Sequence, residues 1–265
     1  MRMKEKVVLI TGATGEIGTA MTQRFLAEGA SVCITGRSAE KLAHINESLG
    51  AGAKLTTCLV DALDEAAVLS SVERCVAEFG GIDAIIANAG TEGKVQPLEM
   101  YSVEEFNETL LVNVTGVWLY LKHGLPPMRA RGSGSFVAVS SGAGTVGFPG
   151  LCPYAASKHA IQGAFDSIRQ EMYEHNIDIT LVCPGPIKTA ITQNSLTGDG
   201  KAFGKMGDLH THAMDPNEML RRIWPKIKAR KEEITISGPK ERLALLLKRA
   251  APGILNRILK QSKVV

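Results

Sequence analysis

Short apolar runs rich in Val and Ile alternate along this chain with longer stretches of helical periodicity. The runs predict strands at Val7–Thr11, Ser31–Thr35, Lys54–Val60, Ala84–Asn88, Ser135–Ser140, Asp178–Cys183 and Glu233–Ser237. The amphipathic stretches predict helices over 17–28, 39–49, 64–79, 103–129, 154–175 and 216–230. Such alternation reads as βαβ units on a parallel sheet covered on both faces. The expected fold is therefore α/β, a Rossmann-type doubly wound sheet of about seven parallel strands with helices on both faces. No internal repeat, low-complexity segment or linker interrupts it. One domain over residues 1–238 is the simplest organisation for a chain of 265 residues.

Composition changes this picture little. An apolar fraction of 45% and a charged fraction of 22% are those of an ordinary globular protein. The five cysteines (Cys33, Cys58, Cys75, Cys152 and Cys183) are dispersed and odd in number, which argues for a reducing compartment rather than a disulfide framework. Six residues precede the first apolar strand, too little for a signal peptide or a membrane span, so a cytoplasmic protein is expected.

Charge changes it more. From Arg221 onward thirteen Lys/Arg face three Glu, so the end of the chain carries +10 and the first 220 residues −7, within a net +3. After the last predicted strand, residues 239–265 continue as a basic amphipathic extension. Leu243–Leu247 and Ile254–Leu259 alternate with cations at helical spacing, broken by Pro252-Gly253. Neither run approaches the roughly 20 apolar residues of a bilayer span. Two readings stay open: reversible association with an anionic membrane surface, or packing of the leucines on the parent domain or a partner subunit. Nucleic acid is not expected, since the segment has no aromatic residue for base stacking.

The first strand feeds Thr11-Gly12-Ala13-Thr14-Gly15-Glu16-Ile17-Gly18. Glycines between a strand and a helix let backbone N–H groups approach a pyrophosphate, and the helix N-terminus adds partial positive charge. The end of the second strand then speaks to the cofactor. NAD sites place a carboxylate there, whereas a cation accommodates the 2′-phosphate of NADP. Here the residues are Thr35-Gly36-Arg37-Ser38, and Arg37 suits a charge-assisted phosphate contact, so NADP(H) is favoured over NAD(H).

Chemistry is suggested by Pro153-Tyr154-Ala155-Ala156-Ser157-Lys158. Four residues apart, Tyr154 and Lys158 share one helix face. A phenol with a pKa of about 10 is a poor acid or base at neutral pH, and a fixed ammonium nearby favours its ionised form.

In order, these motifs resemble the short-chain dehydrogenases/reductases, in their compact single-domain branch, over about residues 5–237. The resemblance adds Asp61 after the third strand, Asn88-Ala89-Gly90, Asn113 in Val112-Asn113-Val114-Thr115-Gly116, Ser140-Ser141 and Pro184-Gly185-Pro186-Ile187-Lys188-Thr189. It implies that Tyr154 exchanges a proton with a substrate carbonyl or alcohol. Lys158 would favour the tyrosinate and hold the nicotinamide ribose, Ser141 would hydrogen-bond the substrate oxygen, and Asn113 would hold a water in a proton relay. Gly12, Thr14, Gly15, Ile17 and Gly18 would cradle the pyrophosphate. Asp61 and Ala62 would meet the adenine, while Asn88, Ala89, Gly90, Pro184, Gly185, Ile187 and Thr189 would line the cofactor. The implied activity is hydride transfer between a nicotinamide cofactor and a carbonyl or alcohol.

One departure is visible. The middle glycine falls one place early, giving Gly15 followed by Glu16, a spacing more typical of the extended branch. That keeps a nucleotide-sugar epimerase or dehydratase as a rival, beside a non-catalytic NADP-binding scaffold. No metal is expected: His210 and His212 have no accompanying Cys or carboxylate pattern. Ala156, His159, Ala160, Gly163 and Ala164 on the Tyr154 helix permit close helix approach, which fits the homodimer or homotetramer that the family implies and equally burial within the monomer. Gly142–Cys152 and a lid candidate over 190–215 flank the chemistry and suggest an apolar substrate. Residues 194–200 and 204–206, with the basic tail, are loosely similar to the animal dehydrogenase/reductase member seven subgroup.

Overall fold

A computed structural model describes residues 4–50, 52–189, 196–197 and 213–260. The elements are β1 (Val7–Ile10), α1 (Glu16–Ala27), β2 (Ser31–Gly36), α2 (Ala39–Leu49), β3 (Leu55–Leu59), α3 (Glu65–Phe79), β4 (Ala84–Ala87), β5 (Lys94–Val95), α4 (Val103–Leu110), α5 (Gly116–Ala130), β6 (Gly134–Val139), α6 (Cys152–Met172), β7 (Ile177–Pro184), β8 (Leu196–Thr197), α7 (Pro216–Lys228), β9 (Glu233–Ile236), α8 (Pro239–Ala250) and α9 (Pro252–Leu259). Seven strands form one sheet in the order β3-β2-β1-β4-β6-β7-β9, every pairing parallel. The Rossmann-type architecture expected from the strand pattern is present.

The period-2 geometry of strands divides the core between the two faces of the sheet. Leu9, Cys33, Ile85 and Phe136 pack with Tyr120 of α5 and Phe165 of α6. Val8, Ile10, Ile34 and Ile86 pack on the other face with Phe25 of α1 and Trp224 of α7. Because strand order reverses between β1 and β4, the crevice beyond their carboxyl ends is where such a fold binds ligands.

Local chemistry sets where the helices begin. Ser38 caps α2 and Asp64 caps α3 through their side chains, and Ser102 with Glu105 forms a capping box on α4. Helix α1 differs: its N-cap is Gly15, with no side-chain cap hydrogen bond, so its first N–H groups face the crevice without a side-chain acceptor at the cap.

Two differences from the expected elements matter. The predicted helix over 103–129 is interrupted by a π-helical turn at Leu111–Thr115 that carries Asn113, an arrangement frequent at functional sites. A second sheet of two short strands also forms, with Lys94–Val95 parallel to Leu196–Thr197. Two-residue strands leave no periodic trace in a sequence. Most of the lid candidate lies outside the described residues, as do His210 and His212.

Candidate active site

The carboxyl ends of the strands open into a cleft of about 700 Å³, within the roughly 300–1,000 Å³ of small-molecule sites. Of the residues singled out from sequence, Gly12, Thr14, Gly15, Ile17, Arg37, Asp61, Ala62, Asn88, Ala89, Gly90, Ser141, Tyr154, Lys158, Pro184, Gly185, Ile187 and Thr189 all line it. Gly18 and Asn113 stand behind its wall.

The glycine turn explains why Gly18 belongs there. Gly12 has φ +60° and lies so close to the loop after β4 that an added Cβ would sit 2.7 Å from Ala89 Cα. A Cβ on Gly18 would meet Ala13 Cα at 2.6 Å and press on the Gly12 carbonyl. Gly15 is different, since its Cβ would make only an ordinary 3.7 Å contact with Gly12 O. The steric demand thus falls on the outer two glycines, and the shifted middle one is tolerant. The turn is tied down by Asn88, whose Nδ2 donates to Thr11 O (3.2 Å) and Gly12 O (3.1 Å). Thr11 Oγ1 in turn accepts from the N–H groups of Asn88 (3.0 Å) and Ala89 (2.9 Å). Gly18→Ala is expected to lower stability by about 1–3 kcal/mol, or roughly 2–4 °C of melting temperature per kcal/mol, while Gly15→Ala leaves it unchanged. Thermal melts of the two variants check this; equal losses would contradict it.

At the far end of the cleft Arg37 is joined by Ser38 and Lys41, neither of which the motif reading identified. Lys41 lies in the first turn of α2, its backbone N–H donating to the capping Ser38 Oγ at 3.3 Å.

Around Tyr154 the groups converge. Lys158 is buried, donates to Val139 O at 3.1 Å, and holds its Nζ 5.6 Å from the centroid of the Tyr154 ring. Burial brings its pKa down to about 8. Burial also raises the Tyr154 phenol above its ordinary value, Glu92 adds to the effect, and the neighbouring Ser141 hydroxyl opposes it. This corrects the expectation that the ammonium draws the phenol down. Lys158 is not hydrogen-bonded to the phenol, and in the closed wall of the cleft desolvation of a phenolate outweighs its attraction.

Asn113 is fully buried, and its amide is engaged on both sides. Nδ2 donates to Thr91 O (2.8 Å) and Ser157 Oγ (2.9 Å), and Oδ1 accepts from Thr91 N (2.8 Å). Ser157 Oγ donates to Tyr154 O at 2.7 Å. Asn113 therefore links the loop after β4 to the first turn of α6.

Val146, Phe148 and Leu151 form the apolar part of the cleft, as anticipated. The same wall continues in Lys240, Glu241, Ala244 and Leu245 of α8, which no motif reading could place there. Among the described residues no group of three or more His, Cys, Asp or Glu is placed to hold a metal ion.

The residues fit a dinucleotide. An uncapped helix N-terminus faces the crevice, two glycines occupy positions where a Cβ would collide, and Ser237 Oγ in the cleft wall has no hydrogen-bond partner among the described residues. Comparison with known proteins agrees. Residues 6–199 match the short chain dehydrogenase family model, and this chain belongs to the short-chain dehydrogenase/reductase family. It is thus an NAD(P)-dependent oxidoreductase. Within the family it is similar to dehydrogenase/reductase SDR family member 7B of Bos taurus, 31% identical over 264 residues that cover 97% of this chain and 81% of that protein. Levodione reductase superposes with a TM-score of 0.81 at 28% identity, over 90% of this chain and 98% of that one. A Burkholderia phymatum family member solved in complex with NAD shares the fold (TM-score 0.84, 20% identity, covering 100% and 98%).

Proposed function

We propose that this protein is an NADP(H)-dependent carbonyl reductase or alcohol dehydrogenase acting on an apolar substrate, with Tyr154 as general acid and base. The observation that carries this reading is the meeting, in one cleft, of Tyr154, Lys158 and Ser141 with the glycine turn and Arg37. The cofactor supplies the hydride; the chain's own residues manage the charge that then appears on oxygen. Burial raises the Tyr154 phenol, so it is protonated at neutral pH and carries the proton that a carbonyl oxygen takes up as charge develops on it. Ser141, whose Oγ accepts from Ala143 N at 3.1 Å, would donate its own proton in a hydrogen bond to that same oxygen. The Lys158 ammonium then stabilises the tyrosinate left behind, in a desolvated wall where such attraction is strong. Asn113 acts as a positioning residue, through Thr91 and Ser157. Any water it holds in a relay must reach it through that shell.

Arg37, Ser38 and Lys41 form a cationic, hydroxyl-bearing end suited to a 2′-phosphate, which supports NADP(H) over NAD(H). Val146, Phe148, Leu151 and Leu245 support an apolar carbonyl substrate. Exposed Leu111 and Trp118, together with the open Gly163 of α6, support a homodimer or homotetramer through α4–α5 and α6. Residues 1–238 serve as the catalytic unit and 239–265 as its extension. Five free cysteines fit a reducing, cytoplasmic setting, and no helix among the described residues is long and apolar enough to cross a membrane.

The direct test is oxidation of NADPH and NADH, side by side, against aldehydes, ketones, steroids and acyl thioesters. Turnover of a carbonyl with NADPH is expected; NADPH binding without turnover of any carbonyl would overturn the reading. Dependence on pH is a second test. Lys158 holds its charge below about 8, so the reduction rate is expected to be flat from neutral pH to that point and to fall above it. An unfolded lysine titrates near 10.4. Between about 8 and that value the unfolded chain keeps a proton the folded one has released, so this group's contribution to stability rises with pH. A profile of kcat/KM, with melts over the same range, checks both signs.

A further inference from the structure

Helix α8 has two different sides. At 100° per residue, Glu241, Ala244 and Leu245 share one face, and these residues, with Lys240, line the cleft. Leu243 and Leu246 fall on the opposite face, where they are 54% and 63% exposed. Arg242 and Arg249 share the stripe of Leu246 at helical spacing and are exposed. Helix α9 packs against α8 and continues the surface, with Ile254 57% and Ile258 52% exposed and Arg257 beside them. No residue of α8 is buried, and Leu255 is the one buried residue of α9. Over residues 239–260, six cations face a single acid, Glu241. The inner face of α8 thus packs on the parent domain, and the outer face is left to solvent.

We propose that the outer face of α8–α9 docks on an anionic lipid surface, so that the cleft wall built by the inner face of α8 stands at that surface and admits a lipid-dissolved carbonyl substrate. Charge complementarity selects this occupant: aliphatic side chains can enter the headgroup boundary while flanking cations stay with the anionic headgroups. Continuity with the cleft gives the docking a use, because Ala244 and Leu245 join Val146, Phe148 and Leu151 in one apolar wall. This delivery role rests on the carbonyl reductase reading; the docking does not.

The test uses the full chain with phosphatidylcholine vesicles, with and without phosphatidylserine. Flotation is expected to be at least about a hundredfold stronger on the anionic vesicles and to be lost at high salt. Leu243→Ser with Leu246→Ser, and separately Arg242→Gln with Arg249→Gln, should abolish flotation while leaving the melting temperature and NADPH affinity unchanged. Tyr154→Phe should float as the unaltered protein does, which separates docking from chemistry. With a long-chain ketone carried in the vesicles, the serine pair should lower kcat/KM at least about tenfold. A short water-soluble ketone should be turned over as before. Equal flotation on neutral and anionic vesicles would overturn the proposal. So would a stable dimer in light scattering that the serine pair converts to monomer without any lipid dependence, since a second copy would then be the occupant. Flotation without reduction of any carbonyl would leave the docking standing and remove the catalytic reading.

Discussion

Tyr154→Phe is expected to lower kcat by about 10²–10⁴-fold, the usual worth of a positioned general acid, with little change in NADPH affinity or melting temperature. The substitution removes one hydroxyl and keeps the ring. In the proposed mechanism that hydroxyl carries the transferable proton; of the other phenols and thiols lining the cleft, Tyr120 is hydrogen-bonded to Thr35 Oγ1 at 3.1 Å, which leaves the Cys183 thiol. Cys183 is a poor substitute, because it is buried in the cleft wall with its Sγ accepting from Gln162 Nε2 at 3.7 Å. Because the Tyr154 side chain is buried, the ring rather than the hydroxyl carries its packing, and folding survives the change. Steady-state kinetics with single-turnover measurements would show the loss in the chemical step. If instead the variant keeps its cellular role while the unaltered protein reduces no carbonyl, the cleft serves a nucleotide-binding scaffold.

Arg37→Ala is expected to weaken NADP(H) about ten- to a hundredfold while leaving NAD(H) nearly unchanged. On the NADP(H) reading, the change would remove a charge-assisted phosphate contact worth about 1.5–3 kcal/mol. Lys41 partly compensates, since it lines the same end of the cleft and brings a second cation to the phosphate. Replacing both should therefore exceed the loss from Arg37 alone. Titration of both cofactors against the single and double variants measures this. Equal binding of NADP(H) and NAD(H) by the unaltered protein would remove the basis for the prediction.

The seven sheet strands lie within about two residues of where their apolar runs begin and end, because a strand buried on both faces must be apolar throughout. The site was legible for a related reason. Backbone-binding glycines, a Tyr–Lys pair at helical spacing and a cation at a strand end are short-range patterns whose chemistry follows from residue type and separation. Three things were decided only by tertiary structure. The titration of Tyr154 depends on the solvent excluded around it, so the phenol is raised where the Lys158 spacing alone pointed to a lowered value. Asn113 depends on a π-helical turn, which aims its amide at Thr91 and Ser157 behind the cleft. Helix α8 reads in the sequence as a basic amphipathic segment with one apolar side. What decides its place is the position of β9 at the sheet edge, which brings the next helix back over the crevice. Periodicity specifies that a helix has a face to cover; what covers it is set by long-range packing, and on α8 the cleft took one face and left the other to solvent.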